Sequence, residues 1–224
     1  MKNLIIFFFL SYSICKSQVK ITLSYSKSDK NANISIYNGS NEDIIIPLDM
    51  KSFKPYHENQ CSIADYEFPY PILGITLLVE NNNEKLLGNI QNIEISDNDS
   101  FNNIKEEKRK INSKYLNSIK KWSNKNKIMD SNSAKINYYL YKNLVIIKSK
   151  QQITFSSIIN FDNITNQKYI YYYYPIDWSK KNKLSLSICI DSNIYDFLTE
   201  KQKQKLKKYK FFTGKLESNK IELN

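Results

Sequence analysis

Residues 19–25 read VKITLSY, and residues 32–36 read ANISI. Apolar and polar residues alternate in both stretches, and in a β-strand such a pattern places the apolar side chains on one face. The sequence NGSN at 38–41 then supplies residues that favour a turn. Together these features predict two short strands, each with one buried face.

The same alternation recurs along the chain and predicts a mainly β fold. Further strands are expected at 43–48, 72–80, 86–95, 136–141, 143–148, 152–160, 168–174, 184–190, 210–213 and 219–223. Residues 52–71 contain several Pro and Tyr and are expected to be irregular. Many short strands separated by turns are typical of a β-sandwich. We therefore expect a single β-sandwich domain over residues 18–224.

Two segments have a helical pattern instead. Between 101 and 122 the apolar residues fall on one side of a helix: Phe101, Ile104, Ile111, Tyr115, Ile119 and Trp122. Residues 199–202, TEKQ, form a capping-box pattern that predicts a short helix through 208. Because neither segment is flanked by linker composition, both are expected to be helical additions to the sandwich.

Residues 1–17 have the features of an export signal. MKN at 1–3 is a short basic start, and the apolar run LIIFFFL at 4–10 is too short to cross a bilayer. Cys15 and Ser17 are small residues suited to cleavage before Gln18, although lipidation of Cys15 or a retained anchor or buried strand remains an alternative. We expect a periplasmic or extracellular protein with no transmembrane segment in the mature chain.

Removal of the leader leaves two cysteines, Cys61 and Cys189. In the predicted strand 184–190, Cys189 lies on the face opposite the leucines and isoleucines. An oxidising compartment permits the two thiols to form a disulfide. Cys61 and Cys189 are therefore a candidate pair, which requires Cα atoms within about 7 Å.

The sequence argues against most catalytic chemistries. His57 is the only histidine, and no G-x-S-x-G elbow is present. The four glycines are scattered, which excludes a glycine-rich phosphate loop. Neither C-x-x-C nor H-E-x-x-H occurs, and Asp97-Asn98-Asp99 starts like a calcium loop but lacks its later ligands. We expect no catalytic residues, no metal and no cofactor.

The tyrosine-rich residues 169–174, YIYYYY, have two interpretations. The first is a β-strand with Tyr on both faces. The second, an exposed platform on which a sugar stacks, requires several of these tyrosines to be open to solvent.

Positive charge is concentrated in the two predicted helices. Residues 101–127 carry nine basic and two acidic side chains, a net charge of +7, and residues 200–210 carry a net charge of +5. The candidate contact residues on the side of the first helix away from its apolar stripe are Arg109, Lys110, Lys114, Lys120 and Lys121. They form either a solvated face or a surface for a protein, an anionic polysaccharide or a lipid. Nucleic acid is not expected, since the chain is exported and has one arginine.

A family resemblance supports the sandwich. The leader, ISIYN at 34–38 with IIIP at 44–47, and the closing block FFTGKLESNKI at 211–221 resemble exported Ig-like β-sandwich proteins of Bacteroidota. The resemblance covers about a third of the chain and implies an Ig-like fold and export. It carries over no catalytic residue.

The function expected from the sequence is therefore that of an exported, non-catalytic binding or scaffold protein in the cell envelope or outside the cell. The alternative is an inhibitor-like or toxin-neutralising protein that uses residues 52–71 as a projecting loop. A loop that stands clear of the sandwich would favour inhibition, whereas a packed one would favour the scaffold.

Overall fold

The computed structural model describes residues 18–57, 61–63, 66–92, 98–166 and 170–223, so that the leader, residues 1–17, lies outside the described residues. The described chain is mainly β, as predicted, with one long helix and shorter ones. The strands are β1 (Val19–Ser26), β2 (Asn31–Asn38), β3 (Ile44–Pro47), β4 (Asp49–Lys54), β5 (Gly74–Asn81), β6 (Glu84–Lys85), β7 (Asn89–Asn92), β8 (Leu144–Ile147), β9 (Gln152–Ile158), β10 (Ile170–Tyr173), β11 (Asn182–Ile190), β12 (Lys210–Phe211), β13 (Gly214–Glu217) and β14 (Ile221–Glu222). The helices are α1 (Asn98–Asn126), α2 (Ser131–Lys142), α3 (Glu200–Leu206) and a 3₁₀ helix, Ser192–Phe197.

The stretch VKITLSY forms β1, which pairs with β2 in an antiparallel sheet of order β1-β2-β9. Val19, Ile21 and Leu23 are buried and the residues between them are exposed, as the alternation predicts. The side chain of Asn219 covers the free edge of β1, where it both accepts from the Leu23 N–H and donates to the Leu23 carbonyl at 2.9 Å. The two backbone groups of Leu23 are therefore unavailable for pairing with another strand.

The largest sheet has the order β13-β11-β5-β4, with β14 beside β11 and β6 beside β5. Its middle strands, β5 and β11, are buried over most of their length on both faces. Strands of this kind lack alternation because both faces are covered. Buried side chains from this sheet, from β1–β3 and from α2 form one hydrophobic cluster.

Two strand pairs are parallel. β4 runs parallel to β5, and β12 runs parallel to β3 in the small sheet β12-β3-β8. The pair β7–β10 forms a separate antiparallel ribbon. Parallel neighbours require a crossover connection instead of a hairpin, and residues 55–73 connect β4 to β5.

The prediction of a strand at 136–141 is wrong, because these residues lie in α2. Tyr and Ile favour a strand, but the helix has a strong start at Asp130, whose carboxylate accepts from the Ser133 N–H at 2.6 Å. Its buried residues include Ile136, Asn137 and Leu140, which share one face of a helix. Tertiary burial of that face therefore outweighs the strand propensity.

Other elements agree with the prediction more closely. α1 begins three residues earlier and ends four residues later than the predicted 101–122 helix. α3 carries the predicted capping box between Thr199 and Gln202. Of the expected strand 86–95, residues 89–92 form β7 and residues 93–95 lie outside the described ranges. β13 lies between the two strands expected at the end of the chain.

Candidate functional site

The second half of α1 is anchored to the fold by aromatic contacts. The Tyr115 ring stacks on Phe68 with centroids 3.8 Å apart, and Ile119 is buried with 4% of its surface exposed. The Tyr66 ring stacks on Tyr139 of α2 with centroids 4.4 Å apart, and the Tyr115 hydroxyl donates to the Tyr66 hydroxyl. These rings connect α1, α2 and the segment before β5.

A buried amide pair extends this anchor to α3. Asn137 of α2 accepts a hydrogen bond from the Trp122 indole N–H at 2.7 Å and exchanges hydrogen bonds with the Gln202 amide. The Asn137 amide also donates to the Phe197 carbonyl. Because buried amides need their hydrogen bonds satisfied, this network fixes how the three helices lie against each other.

The first half of α1 is arranged differently. None of the described side chains from 102 to 114 is buried, and we call this stretch the basic arm. Ile111 is 47% exposed, so the expectation that Ile111 packs on the sandwich is wrong, and Ile104 is only partly buried. The side chain of Phe101 lies outside the described part. Of the described side chains in the predicted apolar stripe, Ile119 is buried, Ile104, Tyr115 and Trp122 are partly buried, and Ile111 is exposed.

The five candidate contact residues, Arg109, Lys110, Lys114, Lys120 and Lys121, are all exposed. Arg109 pairs with Glu106 at 2.8 Å, and Lys110 lies 3.8 Å from the same carboxylate. The hydrogen bond from Arg109 lowers the pKa of Glu106, which keeps that acid ionised. Lys114, Lys120 and Lys121 form no salt bridge with the described residues.

Residues 52–71, the candidate inhibitory loop, are packed where they are described. Their first part belongs to β4, in which Phe53 is buried, and Ile63 and Tyr66 are buried further along. Residues 58–60 and 64–65 lie outside the described ranges. Packing of this kind is what we expect of a scaffold segment.

Cys61 and Cys189 form a disulfide, with Cα atoms 4.9 Å apart. The bond ties the segment before β5 to the central strand β11. The Cys61 carbonyl also accepts from the Asp191 N–H at 3.3 Å. The bond is compatible with the expected oxidising, exported location.

His57 lies half-buried beside the ring of Tyr172, with centroids 6.3 Å apart. Burial, together with the positive charge of Lys54, lowers the pKa of His57 and favours the neutral imidazole. In the described residues no three His, Cys, Asp or Glu side chains gather as a metal site would require.

The tyrosine-rich segment is a packed strand where it is described. Tyr171, Tyr172 and Tyr173 of β10 are partly buried, and Tyr174 is buried. The Tyr174 hydroxyl donates to the Leu77 carbonyl and accepts from the Tyr56 N–H, both at 2.5 Å. Tyr169 lies outside the described residues. The four described tyrosines are partly or fully buried, which agrees with the interpretation as a strand and not with the alternative of an exposed stacking platform.

The structure brings together a second group that the sequence did not single out. A surface hollow of about 360 Å³ is lined by Tyr25, Lys27, Lys30, Phe161, Asp162, Trp178 and Leu223. We call it the aromatic hollow. Its residues come from separate parts of the chain, so no local motif indicates it. The one usable signal is Trp178 within the turn sequence DWSKK at 177–181.

No helix among the described residues is long and apolar enough to span a membrane. A scan against protein-family models matches no family, and a search of curated proteins finds no similar sequence.

Proposed function

We propose that the chain is an exported, non-catalytic binding protein that uses the basic arm and the lysines following it to hold a linear polyanion, such as an acidic polysaccharide. The observation that carries this proposal is the uneven burial of α1. Tyr115, Ile119 and Trp122 anchor the helix, whereas the basic arm has no buried described side chain. A helix held at one half presents the other half to a partner.

The β framework is the scaffold in this proposal, and we take it to be an Ig-like sandwich. Support comes from the antiparallel sheet β1-β2-β9 and the sheet around β11, whose buried faces share one hydrophobic cluster. Export is supported by the leader pattern and by the disulfide, because disulfides persist in oxidising compartments.

The distribution of charge around α1 favours a flexible chain over a flat surface. Successive helical residues are rotated by about 100°. Lys114 and Lys121 therefore share one side, and Arg109 and Lys120 lie about 120° away from them. A lipid bilayer contacts one side of a helix, whereas a flexible polyanion can contact both.

The exposed apolar residues of α1 also favour a flexible polyanion over a lipid bilayer. Ile111 and Leu116 are 47% and 43% exposed, and they point about 140° apart around the helix. Helices that lie in a bilayer interface bury a continuous apolar face. The described part of the basic arm has two apolar side chains, Ile104 and Ile111, which are too few for such a face, so the proposed contact is mainly Coulombic.

The test measures binding of the purified protein to alginate, a polyuronate, by titration calorimetry at several salt concentrations. Replacing Lys110, Lys114 and Lys121 by Gln should weaken binding about 10- to 100-fold, since each basic residue near an anionic surface contributes about 1 kcal/mol. Raising the salt concentration should weaken binding of the unmodified protein as well. The melting temperature should stay nearly unchanged because all three side chains are exposed.

A matched control removes the same charge elsewhere. Lys20, Lys51 and Lys148 are exposed and lie outside the helices, and their replacement by Gln should leave alginate binding nearly intact. Equal losses in both triple variants would show that only net charge matters and would contradict the proposal. Tighter binding to vesicles of anionic phospholipid than to alginate would assign the surface to a membrane instead.

A further inference from the structure

The aromatic hollow has the composition of a binding site for a small polar ligand. Two aromatic pairs meet edge to face in its wall: Tyr25 with Phe161, with centroids 6.5 Å apart, and Phe161 with Trp178, with centroids 6.0 Å apart. Trp178 is 55% exposed, whereas the other two rings of the hollow, Tyr25 and Phe161, are partly buried. An exposed indole beside two partly buried rings offers apolar surface to a ligand.

Two lysines stand at the rim, on the turn between β1 and β2. Lys27 and Lys30 are both exposed, and Lys30 has a φ of 53°, which is an unfavourable backbone conformation for a residue other than Gly, Asn or Asp. The turn is held by Asp29, which accepts from the hydroxyls of Ser26 and Ser28, and by the Lys30 carbonyl, which accepts from the Ile159 N–H at 2.8 Å. The two ammonium groups are therefore carried by a fixed turn.

Trp178 is also carried by a fixed turn. The Asp177 carboxylate accepts from the Ser179 N–H at 3.0 Å and from the Ser179 hydroxyl at 2.6 Å. The Asp177 carbonyl accepts from the Asn182 amide at 2.9 Å. These bonds connect the turn to β11, so Trp178 is positioned by the main sheet.

We infer that the aromatic hollow binds a sugar residue bearing a carboxylate, as in a uronic acid. Trp178 and Tyr25 offer apolar ring surfaces to the C–H face of a pyranose. Lys27 and Lys30 match the negative charge of the carboxylate, and Asp162 accepts hydrogen bonds from sugar hydroxyls. Aromatic rings, two cations and one acceptor at the same opening fit this ligand better than a purely apolar or a purely anionic one.

This site is separate from the basic arm. β5 begins at Gly74, and the N–H of the preceding residue, Leu73, donates to the hydroxyl of Tyr139 in α2. β5 ends at Asn81, whose side-chain amide donates to the Asp177 carbonyl. Eight residues of strand span about 26 Å. The hollow thus lies at the end of β5 opposite this α2 contact, and none of its lining residues belongs to α1.

The test uses digalacturonic acid as ligand and cellobiose as neutral comparison, with binding measured by titration calorimetry. Trp178→Ala should weaken digalacturonic acid binding on the order of tenfold through loss of the ring contact. The control Tyr37→Ala removes a partly exposed ring on the outer side of β2 and should have no effect. Equal affinities of the Trp178→Ala variant and the unmodified protein would overturn the inference.

The charge requirement is tested separately. The double variant Lys27→Gln with Lys30→Asn should weaken binding of digalacturonic acid about tenfold or more, since charge-assisted hydrogen bonds are lost. Asn tolerates the backbone conformation of residue 30, so this variant should fold normally. Binding of cellobiose as tight as that of the acid would overturn the choice of an acidic sugar, and no binding of either sugar would overturn the site.

The variant with Gln at 110, 114 and 121 separates this inference from the proposed function. It should bind digalacturonic acid as well as the unmodified protein does. A loss of disaccharide binding in that variant would place the sugar site on α1 and contradict the assignment to the hollow.

Discussion

Lys54 is a charged side chain in the interior of the protein. It is 4% exposed, and its ammonium group donates to the Ile72 carbonyl at 2.6 Å. Burial lowers the pKa of Lys54 to about 8, well below the usual value for lysine. The ammonium also contributes to the lowered pKa of His57. Its protonation is therefore coupled to the stability of the fold.

We predict that the free energy of unfolding rises between pH 8 and pH 9.5. In this window the folded protein releases the Lys54 proton while the unfolded chain, with a lysine pKa of about 10.4, still holds it. Below pH 8 both states are protonated, and the cost of the buried charge is fully present. The expected gain is about 1–2 kcal/mol by pH 9.5. Urea unfolding at several pH values measures it.

The Lys54→Met variant is the control, because it keeps the apolar stem and removes the ammonium. Its stability should be nearly flat across the same window. Above about pH 10 stability should fall in both proteins, since burial raises the pKa of Tyr66 and Tyr139 and the unfolded chain loses its tyrosine protons first. A rise of the same size in both proteins would exclude Lys54 as its source.

Among individual residues, the sequence correctly predicted the position of Cys189 but did not identify Lys54 or Trp178. The alternation in 184–190 correctly placed Cys189 away from the strand's leucines, on the side where Cys61 meets it. Lys54 was not singled out, because the carbonyl that accepts its hydrogen bond belongs to Ile72, 18 residues away in sequence. Trp178 was missed for the same reason, since its ring partner Phe161, which in turn contacts Tyr25, is distant in sequence.

Among the elements, α1 contains two isoleucines in contrasting surroundings. Ile119 is 4% exposed and Ile111 is 47% exposed, although both belong to the predicted apolar stripe. The same substitution at the two positions therefore reports which half of the helix is anchored.

We predict that Ile119→Ala lowers the free energy of unfolding by about 2–4 kcal/mol, because it removes buried methyl groups and leaves a cavity. Ile111→Ala should change it by less than about 0.5 kcal/mol, since the side chain is largely solvated and Ala has the higher helix propensity. Chemical denaturation of both variants measures the difference. Similar losses at the two positions would mean that the basic arm is packed in solution.

Periodicity predicted the existence of α1 but not its anchoring. An apolar stripe marks which side of a helix is able to pack, yet it does not say how much of that side meets a partner. α2 shows the opposite difficulty, since INYYLY at 136–141 favours a strand locally and becomes helical through the Asp130 cap and the buried Asn137 network. Side-chain burial in the folded protein therefore determines both how much of α1 is anchored and that residues 136–141 are helical.

On the scale of the whole molecule, the alternating segments correctly indicated a mainly β protein, but not its sheet order. The parallel pairs β4–β5 and β12–β3 join segments that no turn signal connects. The aromatic hollow depends on this topology, because it gathers the β1–β2 turn, residues 161–162 and the Trp178 turn at one end of β5. The lining residues form no sequence motif, and only the packing of the sheets brings them together.

The Cys61–Cys189 disulfide is the longest-range covalent constraint in the described chain. It joins residues 128 positions apart and connects the crossover segment between β4 and β5 to the central strand β11. A cross-link of this span restricts the unfolded chain strongly, and in the chain-entropy model it contributes about 3–5 kcal/mol.

We therefore predict that replacing both Cys61 and Cys189 by Ser lowers the free energy of unfolding by about 3–5 kcal/mol relative to the oxidised protein. The effect acts through the unfolded chain, so the variant should keep its secondary structure by circular dichroism under native conditions. Denaturant unfolding of the oxidised protein, the reduced protein and the variant separates the effect of the cross-link from that of the side-chain change. The reduced protein and the variant both lack the bond, so their free energies of unfolding should be nearly equal. Equal stability of oxidised and reduced protein would show that the bond does not constrain the fold, and it would remove one of the supports for an oxidising, exported location.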